Sequence, residues 1–132
     1  MGSIGSKCRV AYGSRVAYGR MAVMLASTPT SVFVDRLRRA RAAMARTDVD
    51  VLLVSVGSDL PYLIGYEAMP LERLTMLVVP RDGEATLVVP GLEAPRVVPR
   101  EEAFTIRPWG ELEDPVALAA GLVARPATVA IG

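Results

Sequence analysis

The sequence predicts an α/β protein with a mixed, largely parallel sheet, one antiparallel hairpin and helices on both faces. Three observations lead to this prediction. Segments with apolar residues at helical spacing alternate with short runs rich in valine and leucine. These runs are largely continuous in apolar residues, which is typical of strands covered on both faces. One Asp-Gly turn joins two neighbouring runs and indicates a hairpin.

The first helix is predicted in "SVFVDRLRRARAAMART", where one apolar stripe contains Phe33, Leu37, Ala40 and Met44. Thr30 or Ser31 can cap its start. Five arginines lie mainly outside the stripe. They could contact nucleic acid, but we favour a solvated face or one paired with acids elsewhere in the chain. The following run, "DVDVLLVSVG", is predicted as the first strand.

The middle of the chain predicts a short helix and then the hairpin. Gly57, Ser58, Asp59 and Pro61 end the first strand and favour a helix through residues 62–64. The runs "RLTMLVVP" and "EATLVVP" flank Asp82 and Gly83, so these two strands should be antiparallel neighbours.

The last third of the chain predicts a helical or turn segment, a strand, a helix and a final strand. "GLEAPRVVPREE" is broken by two prolines, and "AFTIRPWGE" is a strand that leads into a loop. A helix begins at Asp114 with Pro115 behind it and has an apolar face at Leu118 and Leu122. "ATVAIG" is the final strand.

Length and composition fit one domain, which we assign to residues 29–132. The chain has 132 residues, of which 52% are hydrophobic and 22% charged, so it can bury one core. No apolar run approaches the roughly 18 residues of a membrane span. The lone Cys8 allows no intrachain disulfide and gives no reason to expect an oxidising compartment. We therefore expect a soluble, cytoplasmic protein.

Residues 1–28 are set apart as a tail. They carry four basic residues and no acid, and they repeat "RVAYG". Three interpretations stay open: a targeting segment, a tag remnant in "MGSIGSK", or a start assigned too early, with Met21 as the natural first residue. Because the chain has a net charge of +1 and the tail carries +4, the rest carries −3. A nucleic-acid interface on the domain is therefore not expected.

The residues able to do chemistry are few. The chain contains no histidine, which excludes Ser/His and Cys/His pairs and removes the commonest metal ligand. The acid pairs Glu101/Glu102 and Glu111/Glu113 fall in polar connections, where solvated loop acids are the ordinary interpretation. No glycine-rich phosphate-binding motif stands at a strand-to-helix turn. We find no catalytic constellation.

Several segments together resemble the amino-terminal domain of the prolidase, aminopeptidase P and creatinase family, across about residues 32–132. These are "FVDRLRRARAAM", "SDLPYLIGYEAMPLERL" with the hairpin that follows, and "ATVAIG". Asp59 replaces the usual asparagine of the family's turn, and Ile64 replaces the threonine before Gly65. "EAMPLERL" is particularly similar to the bacterial Xaa-Pro dipeptidase branch. The resemblance implies a domain with a ribonuclease H-like motif.

The resemblance also implies a function that this chain does not complete. Family members carry a second, carboxy-terminal domain in which two Asp, one His and two Glu hold two divalent metals, usually manganese or cobalt. That domain is absent here, so the chain alone should be catalytically silent and hold no metal. We expect a non-catalytic domain that serves dimerisation and substrate gating in a homodimeric Xaa-Pro dipeptidase-like metallopeptidase. The match also implies that the domain is incomplete at its carboxyl-terminal edge.

The resemblance assigns roles to four residues near "YLIGYEAMPLER". Arg73 best matches an arginine that reaches the partner subunit's cleft and binds the substrate carboxyl end, which suits its guanidinium fork. Glu72 would orient or neutralise it, and Tyr62 and Tyr66 would line the approach. The ordinary interpretations are an exposed Arg73 paired loosely with Glu67 or Glu72, and core positions for Tyr62 and Leu63.

Trp109 could anchor an interface, because tryptophan is enriched at binding hot spots. It could equally be a partly buried tryptophan whose N–H is satisfied nearby.

Two alternatives to the metallopeptidase interpretation stay open. One is a stand-alone α/β interaction or ligand-binding module. The other is the amino-terminal part of a creatinase-like amidinohydrolase, since the same first domain serves hydrolases of non-peptide substrates.

Overall fold

The structure is a computed structural model that describes residues 27–124 and 127–132. Cys8, the "RVAYG" repeat and Met21 lie outside the described residues. The elements are α1 (Thr30–Arg46), β1 (Val51–Val54), α2 (Asp59–Ile64), β2 (Met76–Pro80), β3 (Ala85–Pro90), a 3-10 helix (Ala94–Arg96), β4 (Phe104–Trp109), α3 (Pro115–Gly121) and β5 (Val129–Ile131). This is the predicted order of elements.

The five strands form one sheet in the order β4-β3-β2-β1-β5. The hairpin is confirmed, since β2 and β3 pair antiparallel with Leu77 opposite Leu87. The parallel component is also confirmed, by β1 with β5 and β3 with β4. The β1 and β2 strands are antiparallel as well, so parallel pairs make up half of the sheet rather than most of it. No turn motif in the sequence predicts the pairing of β1 with β2, because a helix and a long loop separate the two strands.

The first face of the sheet carries the larger core. Alternate strand residues point to this face, where α1 and α2 cover them. The largest side chains that are fully buried here include Phe33, Leu37, Leu60, Ile64, Leu77, Leu87 and Phe104. The predicted stripe of α1 is confirmed, because Phe33, Leu37 and Met44 are buried and Ala40 packs against the same core.

The second face carries a smaller cluster under α3. Val51, Val78, Val88 and Ala119 are buried there, with Trp109 and Leu118 packed against them. The predicted start of α3 is confirmed, since the Asp114 carboxylate accepts hydrogen bonds from the backbone N–H groups of Val116 and Ala117. The predicted apolar face is only partly right, because Leu122 is 39% exposed and Ala119 is the buried residue.

The predicted side-chain cap of α1 is wrong. The residue at the cap position is Pro29, and no side chain caps the helix. The Thr30 hydroxyl instead accepts a hydrogen bond from the buried Arg100, which also donates to the Thr28 carbonyl. Thr28, which we assigned to the tail, is therefore in contact with the domain.

The arginines of α1 are largely engaged within the chain. Arg38 and Arg39 bond Asp35, and these bonds hold the pKa of the Asp35 carboxyl below its usual range. Arg41 donates to the carbonyls of Pro80 and Gly83, so it joins α1 to the hairpin. The acid partner, Asp35, lies on α1 itself, and the Arg38 and Arg39 side chains are 71% and 66% exposed, so this face agrees with the solvated alternative rather than with pairing to acids elsewhere in the chain.

Gly65 ends α2 in a conformation that requires glycine. Its φ is +74°, in the left-handed region, and a Cβ added there would lie 2.8 Å from the Phe33 ring. The same residue therefore allows the chain to turn and allows Phe33 of α1 to pack closely beneath it.

Candidate functional site in the loop before the second strand

Residues 65–75 form the loop that carries most of the predicted site, and we call it the 65–75 loop. It leaves α2 and runs into β2. Because β2 is antiparallel to β3 and β3 is parallel to β4, the start of β2 lies near the ends of β3 and β4. The neighbours of the loop are therefore the segments that follow those two strands.

Tyr66 fixes the beginning of the loop. Its side chain is 6% exposed and belongs to the core of the first face. Its hydroxyl lies 3.5 Å from a Glu93 carboxylate oxygen that also binds Arg96 at 3.1 Å. Burial first, and the Glu93 carboxylate next, raise the pKa of Tyr66. Tyr66 is thus a buried support of the loop and not an open wall of a cleft.

Trp109 fixes the end of the loop. Its indole N–H donates to the Leu74 carbonyl at 2.9 Å, and its own carbonyl accepts from the Gly91 N–H at 2.9 Å. The ring is half-buried against the core of the second face. The structure therefore shows a partly buried tryptophan with a satisfied N–H, and one that holds the backbone next to Arg73.

Arg73 is the basic residue of the loop, and its side chain is partly exposed. Its Nη1 lies 2.5 Å from a Glu111 carboxylate oxygen, and the two side chains are 42% and 71% exposed. Glu111 therefore neutralises Arg73, in the place that we predicted for Glu72 or Glu67. Glu72 lies exposed on the same loop.

A second ion pair shapes the segment that supplies Glu111. Glu113 accepts hydrogen bonds from the Gly110 N–H at 3.0 Å and from Arg107 at 2.7 Å. The Gly110 N–H first, and Arg107 next, lower the pKa of the Glu113 carboxyl. The 110–113 turn is thus closed on itself by one glutamate while the other reaches across to the 65–75 loop.

Tyr62 lies apart from this arrangement. It is half exposed on α2, and the Arg36 guanidinium stands 4.3 Å from its ring centroid and donates to its carbonyl at 2.8 Å. These contacts join α2 to α1. Tyr62 is therefore assigned to the helical layer, whereas the other predicted residues, Tyr66, Glu72, Arg73 and Trp109, lie on the loop or at its support.

Between its two supports, the loop exposes apolar side chains. Met69 and Leu71 are 50% and 52% exposed. On the neighbouring segments, Leu92 and Leu112 are more exposed still. Four exposed apolar side chains thus lie on three adjoining segments, a pattern often found where a protein meets a partner.

Two partners in these contacts were not predicted from the sequence. Glu111 was treated as a solvated acid, and Arg36 as one member of a charged helix face. Neither has a local sequence signal, because Arg36 meets Tyr62 from another helix and Glu111 meets Arg73 only after the sheet has formed.

The described residues do not bring together the side chains of a metal site. Within residues 27–124 and 127–132, no group of three or more His, Cys, Asp or Glu side chains is placed to hold a metal ion, and the full sequence has no histidine. A separate groove of about 460 Å³ lies along β4 and the segment before it. It is lined by Glu84, Pro99, Arg100, Glu101, Phe104, Thr105 and Ile106.

A helix with the length and hydropathy of a membrane span is not found in the described part of the chain.

Comparison with known proteins identifies relatives that match 70% to 79% of this chain. The probable dipeptidase PepE of Mycobacterium tuberculosis is 35% identical over 95 residues, which is 70% of this chain and 25% of that protein. The crystal structure of dipeptidase PepE from Mycobacterium ulcerans superposes with a TM-score of 0.67 at 36% identity, covering 79% of this chain and 29% of that one.

A structure of an isolated domain matches over a similar length. The N-terminal domain of Xaa-Pro dipeptidase from Lactobacillus brevis gives a TM-score of 0.64 at 26% identity, with 73% of this chain and 75% of that chain covered. This chain spans about a quarter of the length of the curated relatives it matches. Residues 36–132 match the creatinase/prolidase N-terminal domain. The chain therefore belongs to the creatinase/prolidase N-terminal domain family.

Proposed function

We propose that this domain is the non-catalytic amino-terminal part of a Xaa-Pro dipeptidase-like metallopeptidase, a cytoplasmic homodimer in which it serves dimerisation and substrate gating. The observation that supports this most directly is a half-exposed arginine on a loop that is fixed at both ends. Hydrolysis of a bond before proline would take place in a separate domain that holds two divalent metals.

Arg73 would bind the carboxyl end of the peptide in the partner subunit's cleft. Its guanidinium can offer two parallel N–H groups to a carboxylate, which gives both charge and orientation. Tyr66 and Trp109 would act as supports, since one fixes the start of the loop in the core and the other fixes the backbone beside Arg73. Glu72, next to Arg73, would orient or neutralise the guanidinium.

Dimerisation would use the exposed apolar residues of the same region. Met69 and Leu71 lie on the loop itself, and Leu92 and Leu112 lie on the segments beside it. The buried core of an interface is more apolar than the rest of the surface and is enriched in methionine and aromatic residues. Trp109 would contribute its exposed part to this contact.

The first test is the intact mass of the protein from its native source, with sequencing of fragments through residue 132. Sequence that continues into spaced Asp, His and Glu residues would support the proposal. A mass that matches these 132 residues alone would leave the stand-alone interaction module as the explanation. Dipeptidase activity of the purified 132-residue chain with added manganese would contradict the proposed division of labour.

The second test is the substitution Arg73→Gln in a product that carries the catalytic domain. Loss of a hydrogen bond to a charged group should raise KM for a dipeptide by about tenfold to a hundredfold. Arg46→Gln, at the exposed end of α1, is the matched control and should leave KM unchanged. An unchanged KM for Arg73→Gln would remove Arg73 from substrate binding.

A further inference from the structure

We propose that Glu111 is an internal carboxylate that occupies Arg73 until a ligand carboxylate displaces it. This inference rests on the proposed role of Arg73 in binding the carboxyl end of a peptide. Glu111, on the segment after β4, would compete with the ligand carboxylate for Arg73. That segment would therefore lower the affinity of Arg73 for the ligand.

The geometry of the pair is that of a carboxylate ligand on an arginine. Glu111 Oε1 lies 2.5 Å from Arg73 Nη1, so the two side chains form a direct ion pair. The Arg73 side chain is about half exposed and that of Glu111 is largely exposed, and ion pairs in such positions are weakly held. A second carboxylate can therefore compete with Glu111 for the same guanidinium without opening the core.

The neighbouring pair shows why Glu111, and not Glu113, is the exchangeable group. Glu113 is held by two donors, the Gly110 N–H and the Arg107 guanidinium, and these bonds close its own turn. Among the residues that the structure describes, the Glu111 side chain is joined to Arg73 alone. Rotation of Glu111 away from Arg73 therefore leaves the turn intact.

Trp109 keeps the exchange local. Its indole N–H holds the Leu74 carbonyl at 2.9 Å, so the backbone beside Arg73 is fixed whichever carboxylate the guanidinium binds. Trp109 is also the single tryptophan of the chain, and its indole N–H gives one NMR signal adjacent to the site. Arg73 and Trp109 can thus be observed together in one nitrogen-edited spectrum.

The experiment is an NMR titration of the 132-residue chain with glycylproline, followed at the Arg73 Nε–H and Trp109 indole signals. Glycylprolinamide, which lacks the carboxylate, is the matched probe. Four proteins are compared: the unchanged chain, Glu111→Gln, Arg73→Gln and Glu102→Gln. Glu102 is exposed on the segment before β4, so its substitution removes one negative charge away from the pair.

We expect Glu111→Gln to bind glycylproline about twofold to fivefold more tightly than the unchanged chain, the range set by an exposed ion pair. The amide probe should show no such gain, Glu102→Gln should match the unchanged chain, and Arg73→Gln should abolish the response.

The failures of the two proposals are distinguishable. Equal binding by the unchanged chain and Glu111→Gln, abolished by Arg73→Gln, would overturn the competition and leave the proposed role of Arg73 in place. A gain that also appears with the amide or with Glu102→Gln would overturn the competition too, because net charge would explain it. Absence of any Arg73-dependent response to glycylproline would overturn the exchange on this domain, whereas an unchanged KM for Arg73→Gln in the product that carries the catalytic domain would overturn the proposed role of Arg73.

Discussion

The two faces of the sheet differ in how they are built. Among the described residues, seventeen buried side chains belong to the cluster on the first face and four to the cluster on the second. The first face is covered by α1 and α2, and α1 alone is 17 residues long, whereas α3 on the second face has seven. The charged pairs of the candidate site stand around Trp109, which packs on the second face.

This difference indicates that the core of the first face provides most of the stability of the domain, whereas the residues around Arg73 serve binding. Substitutions in the first core should destabilise the whole domain, because large side chains there are buried completely. Substitutions around Arg73 should leave the fold in place, because the contacts there are exposed hydrogen bonds and ion pairs. The four predictions below test that division, from the largest expected effect to the smallest.

Phe33→Ala should lower the free energy of unfolding by about 3–5 kcal/mol, the range for removing a large buried aromatic side chain. Phe33 lies on α1 and is fully buried, with Gly65 and Arg100 against its ring. Urea denaturation followed by circular dichroism measures the change. Val116→Ala, on the exposed side of α3, is the control, and an equal loss in both variants would refute the division between the faces.

Gly65→Ala should cost about 1–3 kcal/mol, because alanine at a φ of +74° is strained. The added methyl group would also press on the Phe33 ring. Gly57→Ala is the matched control, since a Cβ there meets nothing within 4 Å. Thermal unfolding of the two variants should separate them clearly, and similar melting temperatures would show that Gly65 is not needed for the turn.

Asp114→Ala should cost about 0.5–2 kcal/mol, the usual effect of removing a helix N-cap. The carboxylate accepts two backbone N–H groups at the start of α3. Asp114→Asn should retain most of the stability, because asparagine is an equally good cap. Hydrogen exchange should show the loss concentrated in α3, and a loss spread evenly over both faces would contradict the separation proposed here.

Glu113 should titrate below the pH at which it titrates in an unfolded peptide of residues 110–114. The pKa of Glu113 is lowered in the folded state. Its ionised form therefore stabilises the fold at pH values above the unfolded pKa, and this stabilisation is lost as the pH falls through the folded pKa. The Gly110 amide shift, followed by NMR, should report the same midpoint. An unshifted midpoint would mean that the 110–113 turn is not closed in solution.

The sequence allowed a good prediction of the elements, because their signals are local. The stripe of α1, the Asp82-Gly83 turn and the Asp114-Pro115 start each lie within a few residues, and each is confirmed. The antiparallel pairing of β1 with β2 could not be predicted in the same way, since no turn motif joins them.

The candidate site was harder to predict because its partners are distant in the chain. Arg73 was singled out from its residue type and from the resemblance, but its partner Glu111 meets it only through the sheet. The support roles of Tyr66 and Trp109 also depend on burial and on hydrogen bonds to other segments. Residue type alone does not distinguish a supporting aromatic side chain from one that lines a cleft.

The shortest strand has a consequence for motion in the native state. β5 has three residues, two of them with exposed side chains, and its strand pairing joins Val51 to Val129, 78 positions apart in the chain. Segments with few buried contacts open most readily without global unfolding. When β5 opens, β1 becomes an edge strand, and its unpaired backbone groups then offer a template on which another strand can add.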